Sequence, residues 1–555
     1  MGASALMSIG SKAMAASYAA LATTGHNIAN ANVAGYSRQQ VELATAQSQY
    51  TGAGFFGKGV DVSTVSRAHD ALLTREAAST RALAAMDAAR LQMLQRLEAA
   101  FPTGEQGIGY AAGQFLNAMT DLAAHPADAS TRQVVLARAD DAARAFATAG
   151  GQLDALQQAV HEDLRVQVAQ LNQLAAGVAD VNQRIAAVTG LGQPPNDLLD
   201  ERERLLGQIS EHLQISTVAA DDGTVGVFIA GGQRLVLGSQ AQTLSVEPDP
   251  ADPARAAVGI SDSGFVRLLP AAELGGGAIA GLLRFQNEDL TTARAQLGQL
   301  GAAFAAAVNR QQALGLDLRT PPASGAPIFS PDATQCWLTD PRGLAAASPV
   351  TAAAAAGNTG TAAIASLRVV GPTIAAGQVL AITFIDDSGG YEWELLAGPA
   401  GPVLDHDSGN WSAATPIACN GFELALNGVP RSGDAFSVTA TAYPSASNGN
   451  ALAFVDLRDA RIVGGSPAGG GATITDAYAS VLAGVGVRVQ GAGTTARTSA
   501  AAAAQAEQAR SAVSGVNLDE EAARLIQFQQ SYQAAAKILQ VAQSVFDTLL
   551  QSTGS

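Results

Sequence analysis

The residue types that most often carry chemistry are present in this chain, but their spacing builds no reaction centre. Gly52, Gly54 and Gly57 spell GxGxxG. A dinucleotide fingerprint needs a strand before it and a helix after it, whereas the residues that follow, VDVSTV, read as a strand. Asp405, Asp407 and Gly409 are spaced loosely like a calcium loop, yet DHDSGN has the chemistry of a turn, with side chains able to bond their own backbone. The six histidines, at 26, 69, 125, 161, 212 and 406, include no i,i+4 pair for a metal. No GxSxG elbow, Walker loop or carboxylate pair placed with a histidine stands out. Cys336 and Cys419 are the only cysteines and read as two isolated buried thiols, with one disulfide as the alternative. The expectation is a protein that is not an enzyme and has no catalytic, cofactor or metal residues.

A different pattern is concentrated in residues 25–39, GHNIANANVAGYSRQ, where Asn27, Asn30 and Asn32 close a helix and lead into Gly35 and Tyr36. Asparagine tolerates left-handed backbone and bonds frayed helix ends, so taken alone the segment is an elaborate cap. The helix it closes carries Met7, Met14, Leu21 and Ile28 every seven residues, with Tyr18 beside them. The opposite end of the chain carries two such rows. Leu518, Leu525, Tyr532, Leu539 and Phe546 form one, and Phe528, Ala535, Ala542 and Leu549 form the other, three residues later. Two rows sustained over four heptads make a coiled-coil seam, on a helix of about 50 Å at about 1.5 Å per residue. Asn517 followed by Asp519, Glu520 and Glu521 supplies its N-cap and the acidic first turn that a helix dipole favours. Each of these helices can bury only one face, so they need each other or neighbouring copies.

The background composition agrees. The chain has 555 residues and a formal charge of −16, with 48% hydrophobic, 5% aromatic and 14% charged residues. The acidity excludes a nucleic-acid binder, which needs a basic stripe. No run reaches the ~18 apolar residues of a membrane helix, and the N-terminus lacks the charged start and cleavage site of a secretion signal. Lysine occurs only at Lys12, Lys58 and Lys537. Further helices are marked by Leu83, Met86, Leu94 and Leu97, then by Phe115, Met119 and Leu122. A long helical pattern runs from Ser130 to Gly190, with a possible break at Gly150-Gly151. Its second half holds Val160, Leu174, Val181 and Val188 in one row and Leu164, Leu171, Val178 and Ile185 in another. Asn196 can cap a helix carrying Leu205, Leu206, Ile209 and Leu213; residues 214–269 alternate like short antiparallel strands; helix returns at 276–314. Within the β-like stretch from Pro321 to Asn450, Ile382 and Phe384, the turn 386–390, and Tyr391, Trp393 and Leu395 read as a hairpin. The fold class expected is α+β: paired terminal helices, a long-helix bundle and inserted antiparallel β domains. The terminal coiled-coil domain would comprise 1–45 and 512–555. A helical domain would comprise 46–320 and 451–511, with a β subregion at about 214–272, and 321–450 would be a β-rich outer insertion.

NIANANVAGYSRQ resembles the N-terminal signature of the axial proteins of the bacterial flagellum, and SGVNLDEEAARLIQFQQSYQAAAKILQVAQSVFDTLL is similar to their C-terminal signature. GAGFFGKGVDVSTVSR, NDLLDERERLL, GGAIAGLLRFQNEDL, LGQLGAAFAAAVNRQQALGLDL and GFELALNGVPRSGD resemble the hook-associated protein 1 family, which joins hook to filament. The likeness spans nearly the whole chain outside 321–420; His26 stands where relatives usually have another polar residue. The resemblance implies a structural, self-assembling protein whose terminal helices pack coaxially with other copies into a ring. The assembly residues it implies are Met7, Met14, Leu21, Asn27, Ile28, Asn30, Asn32, Gly35 and Tyr36 with Leu518, Leu525, Phe528, Tyr532, Leu539, Phe546 and Leu549. Its implied partners are further copies of itself, the hook protein below, the next hook-associated protein above, an export chaperone on the C-terminal helix and the flagellar type III exporter, with no nucleic acid and no membrane. Its implied place is the extracellular flagellum, reached without a cleaved signal. Alternatives are another flagellar axial protein, or a secreted adhesin or enzyme displayed by the inserted domain.

Overall fold

Long stretches of alanine, leucine and glutamine without proline give long helices in this computed structural model, which describes residues 2–50, 54–190, 192–262, 264–329, 340–371, 374–465 and 469–553. The helices are α1 (Gly2–Asn30), α2 (Ala71–Ala99), α3 (Ile108–Ala124), α4 (Ala129–Thr189), α5 (Asn196–His212), α6 (Ala278–Arg284), α7 (Thr291–Ala313), α8 (Gly449–Asp456), α9 (Ile474–Ser514) and α10 (Leu518–Thr553). The chain divides into two units: Met1–Gln95, Gln157–Asp289 and Val489–Ser555 form one, and Arg96–Leu156 with Leu290–Arg488 the other.

In the first unit α1 and α10 pack along each other. α1 runs on into an antiparallel pair of strands, Gln39–Thr45 with Val60–Arg67, whose register shifts between Glu42 and Leu43. The later half of α4 buries Leu164, Leu171, Val178 and Ile185 as one row, while Leu174 and Val188 of the other row are half-buried. Leu205 of α5 lies against Gly177 of α4, where a Cβ would stand 3.3 Å from it. A four-stranded sheet follows, from Ser216–Ala219 to Gln240–Ala241, and then a three-stranded one from Leu244–Pro248 to Phe265–Leu269. The helix expected over 276–314 is α6 and α7 joined by a π-helical turn, Phe285–Leu290. There the buried Gln286 side chain bonds both the N–H and the carbonyl of Ala256.

In the second unit, α4 continues unbroken through Gly150 and Gly151. Each glycine costs a helix about 1 kcal/mol, but Phe146, Ala149 and Leu153 on either side are buried and hold the turn. Phe115, Phe304 and Phe329 meet edge-on or tilted at ring separations of 5.2–6.0 Å, and Phe146 stacks on Phe304. The β part has a five-stranded antiparallel sheet in the order Val350–Ala354, Ala435–Ala440, Val379–Phe384, Gly390–Leu396, Val403–Asn410. A three-stranded sheet, Ala363–Val369, Phe422–Asn427 and Ile417–Cys419, completes it. The hairpin stands as read, with Ile382 opposite Trp393 and Phe384 opposite Tyr391. Asp386 closes its turn by accepting from the Ser388 and Gly390 backbones. DHDSGN, in contrast, is edge strand and not turn, with Asp405 and Asp407 opposite Leu395 and Trp393. An edge strand has one ladder to satisfy and tolerates polar side chains, which also guard it against further pairing. Cys419 is buried, and burial pushes its thiol up to about 12; Cys336 lies outside the described residues, so the cysteine pairing does too.

Candidate functional site

The asparagine segment forms a buried junction at the end of α1. Asn27 is 1% exposed, and its amide is fully used. Nδ2 donates to the Gln39 carbonyl at 2.8 Å and to Glu521 Oε2 at 2.9 Å, while Oδ1 accepts from the Gln39 N–H at 2.9 Å and the Tyr36 hydroxyl at 2.7 Å. One side chain therefore joins the last turn of α1, the start of the first strand and the first turn of α10. Burial, and after it the charges of Asp200, Asp197 and Glu521, hold the Tyr36 phenol in its neutral, donating form. Glu521 is itself 1% exposed, sits near the N-terminal dipole of α10 and takes a second contact from Arg524. Asn517 caps α10 as expected, accepting from the backbone of Asp519 at 3.0 Å.

α5 forms the other wall. Ser37 N–H donates to Asp200 at 2.9 Å; Arg67 bridges Asp200 and Glu203; His69 stands 3.3 Å from Glu203; Gln39 Nε2 donates to Asp197. Gly35 has φ +86°, and a Cβ there would lie 3.1 Å from Arg204 Cβ, so the turn needs glycine both for its backbone and for its space. The Arg38 N–H bonds the Ser514 carbonyl, and its guanidinium meets Glu520. Three segments far apart in sequence, 27–39, 197–204 and 514–521, thus share one hydrogen-bonded knot. Asn30 bonds back to the His26 carbonyl, and Asn32 is exposed.

Beyond this knot α1 and α10 run antiparallel. Asn27 meets Glu521, and Gly10 meets Leu539, where a Cβ on Gly10 would stand 2.9 Å from Leu539 Cγ. The fully covered positions are small: Gly10, Ala16, Ala20 and Thr24 on α1, Ala535 and Ala542 on α10. Met7, Met14, Leu21 and Ile28 are half-buried beside that line, as are Leu525, Phe528 and Leu539. Leu518, Tyr532 and Phe546 are exposed, together with Leu6, Tyr18, Ile526, Ile538, Val541 and Val545. The Leu549 side chain lies outside the described residues. Residues that spacing alone did not single out are Glu521, as a buried partner, and Asp200, Glu203 and Arg67. A carboxylate opening a helix is legible in sequence, but a partner hundreds of residues away is not.

No cluster of three or more histidine, cysteine or carboxylate side chains suited to a metal occurs among the described residues. Among those residues no helix is long and apolar enough to cross a membrane. The arrangement is built to join helices. Residues 94–329 match the family described as the flagellar hook-associated protein FlgK helical domain. Residues 507–552 match the C-terminal region of flagellar basal body rod FlgEFG proteins. Flagellar hook-associated protein 1 of Escherichia coli K12 is 28% identical over 96% of this chain and 97% of its own length. Over nearly its whole length the chain is similar to flagellar hook-associated protein 1. The Salmonella typhimurium member is 29% identical, again over 96% of this chain and 97% of its own length. The fold agrees with the flagellar hook junction protein FlgK of Burkholderia pseudomallei, at a TM-score of 0.67 and 22% identity, covering 79% of this chain and all of that one.

Proposed function

We propose that this chain is the junction subunit between hook and filament and that it assembles into a ring by coaxial packing of its α1–α10 pair. The observation that carries the reading is the incomplete burial of that pair. Its line of contact is small and closed, while Tyr18, Leu518, Ile526, Tyr532, Val541, Val545 and Phe546 remain exposed on the same two helices. Covering a large apolar side chain contributes about 1.5–3 kcal/mol, so neighbouring copies that cover this surface gain what the single subunit leaves unrealised. The hook protein below and the next hook-associated protein above would cap the ring. Before assembly the exposed stripe of α10 suits a chaperone that holds an amphipathic helix in a groove. Delivery through the flagellar type III exporter would bring the chain to the extracellular flagellum without a cleaved signal. Deleting the gene and viewing cells by electron microscopy tests the reading: hooks without filaments, with flagellin shed into the medium, are expected. Normal filaments in the deletion strain would refute it.

A further inference from the structure

α9 carries its weakest helical sequence in one place. The ten residues 484–493, GVGVRVQGAG, hold four glycines and three valines. Against alanine, each glycine disfavours a helix about fivefold, and each valine does so less. Packing does not call for these glycines. A Cβ on Gly484, Gly486 or Gly491 would meet nothing within 4 Å, and one on Gly493 would touch only Leu91, at 3.8 Å. Composition does not call for them either, because residues 500–504 of the same helix are five alanines in a row.

The helix is anchored on either side of this stretch. Before it, Ile474 and Val481 are buried and the Tyr478 hydroxyl donates to the Pro102 carbonyl at 2.6 Å. After it, Ala506 is buried, and Glu507 accepts from Arg81 at 3.0 Å and pairs with Arg510. Between these anchors no residue from 486 to 493 is buried, and Val487 is 68% exposed. The chain passes from the second unit to the first inside the stretch, after Arg488. Its other passages also fall near irregular helix. The one after Asp289 lies in the π-helical turn, an irregularity that recurs at functional sites. The one after Leu156 follows Gly150 and Gly151, where a Cβ again would meet nothing within 4 Å. The one after Gln95 comes just before α2 ends at Ala99.

We propose that residues 484–493 are a hinge built into α9: the helix opens locally there, so that its α10 end can turn while the anchors on both sides stay closed. Few buried contacts and poor helix formers make this the segment that opens most readily. The inference is independent of the assembly reading above. Hydrogen exchange of the purified full-length chain, followed by mass spectrometry and corrected for intrinsic rates, tests it. Amides of 484–493 should exchange about tenfold faster, or more, than those of 500–509 in the same helix. G484A, G486A, G491A and G493A together add methyl groups where there is room, so the variant should fold with an unchanged circular dichroism spectrum. It should slow exchange in 484–493 about a hundredfold or more and leave 500–509 as it was. The pair G486A and G491A alone should slow it about tenfold or more, which keeps the test open if the fourfold variant folds poorly. Equal protection of the two segments in the unsubstituted chain would overturn the proposal, and so would folded variants that exchange at the original rate.

Discussion

The β region of the second unit and the terminal helix pair of the first solve packing in opposite ways. Around residues 350–440, Phe384, Phe422 and Phe436 are at most 1% exposed and join Leu380, Ile382, Trp393 and Val438 in a sealed core. Between α1 and α10, away from the knot, the sealed positions are glycine, alanine and one threonine, and the large side chains lie at the edges or outside. A chain with 5% aromatic residues has placed many of them where the fold must stand alone. Where small residues bring helices close, it has left apolar surface for something else to cover. The first region is finished by folding; the second, on the reading proposed above, is finished by assembly.

That contrast can be broken most directly by removing 518–555. Assembly should be abolished, while the β region keeps its melting transition and its tryptophan fluorescence from Trp393 and Trp411. A truncated protein that still builds junctions would erase the distinction. Phe436→Ala should have the converse effect, lowering the stability of the second unit by about 3–5 kcal/mol in denaturant melts while any folded molecules still assemble. Leu525→Asp with Leu539→Asp sharpens the comparison from the other side, blocking incorporation into flagella without moving the β-region transition. A smaller effect is expected at the knot. Asn27→Ala leaves the Glu521 carboxylate and the Gln39 backbone short of a partner, at a cost of about 1–3 kcal/mol. A double-mutant cycle with Glu521→Ala should show coupling, and simple additivity would mean that the two do not depend on each other.

The smallest contrast concerns pH. Burial, opposed by Glu203, holds the His69 imidazole below its ordinary 6.5, so the unfolded chain takes up its proton first. This contribution to stability is complete above pH 6.5 and is lost as pH falls from there toward the folded value. Asp434 in the β region is also held down. Burial works against that, but the backbone N–H groups of Arg431, Thr359 and Gly360 outweigh it. Its contribution therefore persists to about pH 3.8 and is lost below. Melts at stepped pH should show the terminal unit weakening first, and His69→Gln should flatten that slope.

Much of the fold was legible because its signals are periodic. The α4 rows, the α10 cap at Asn517 and the hairpin around Trp393 follow from spacing and turn chemistry. Spacing does not distinguish the centre of a helix contact from its flank. The heptad rows draw the eye to Met7, Leu21 and Leu525, whereas the buried positions are Gly10, Ala20, Ala535 and Ala542. α9, with its run of alanines, has no strong stripe and shows only as composition. The polar edge strand Val403–Asn410 has the residues of a turn and takes its shape from the neighbour it pairs with. Asn27 drew attention as a cap, but its meaning depends on Glu521 and Gln39, contacts that no local pattern encodes.

The Asn27–Glu521 bond spans 494 residues of chain. At about 5–20 residues per second, synthesis takes roughly half a minute to over a minute and a half between the two residues. Until then the first helix has no companion to close on. A chain released short of Glu521 lacks the partner that completes the joint, so the joint closes only after translation has passed that residue.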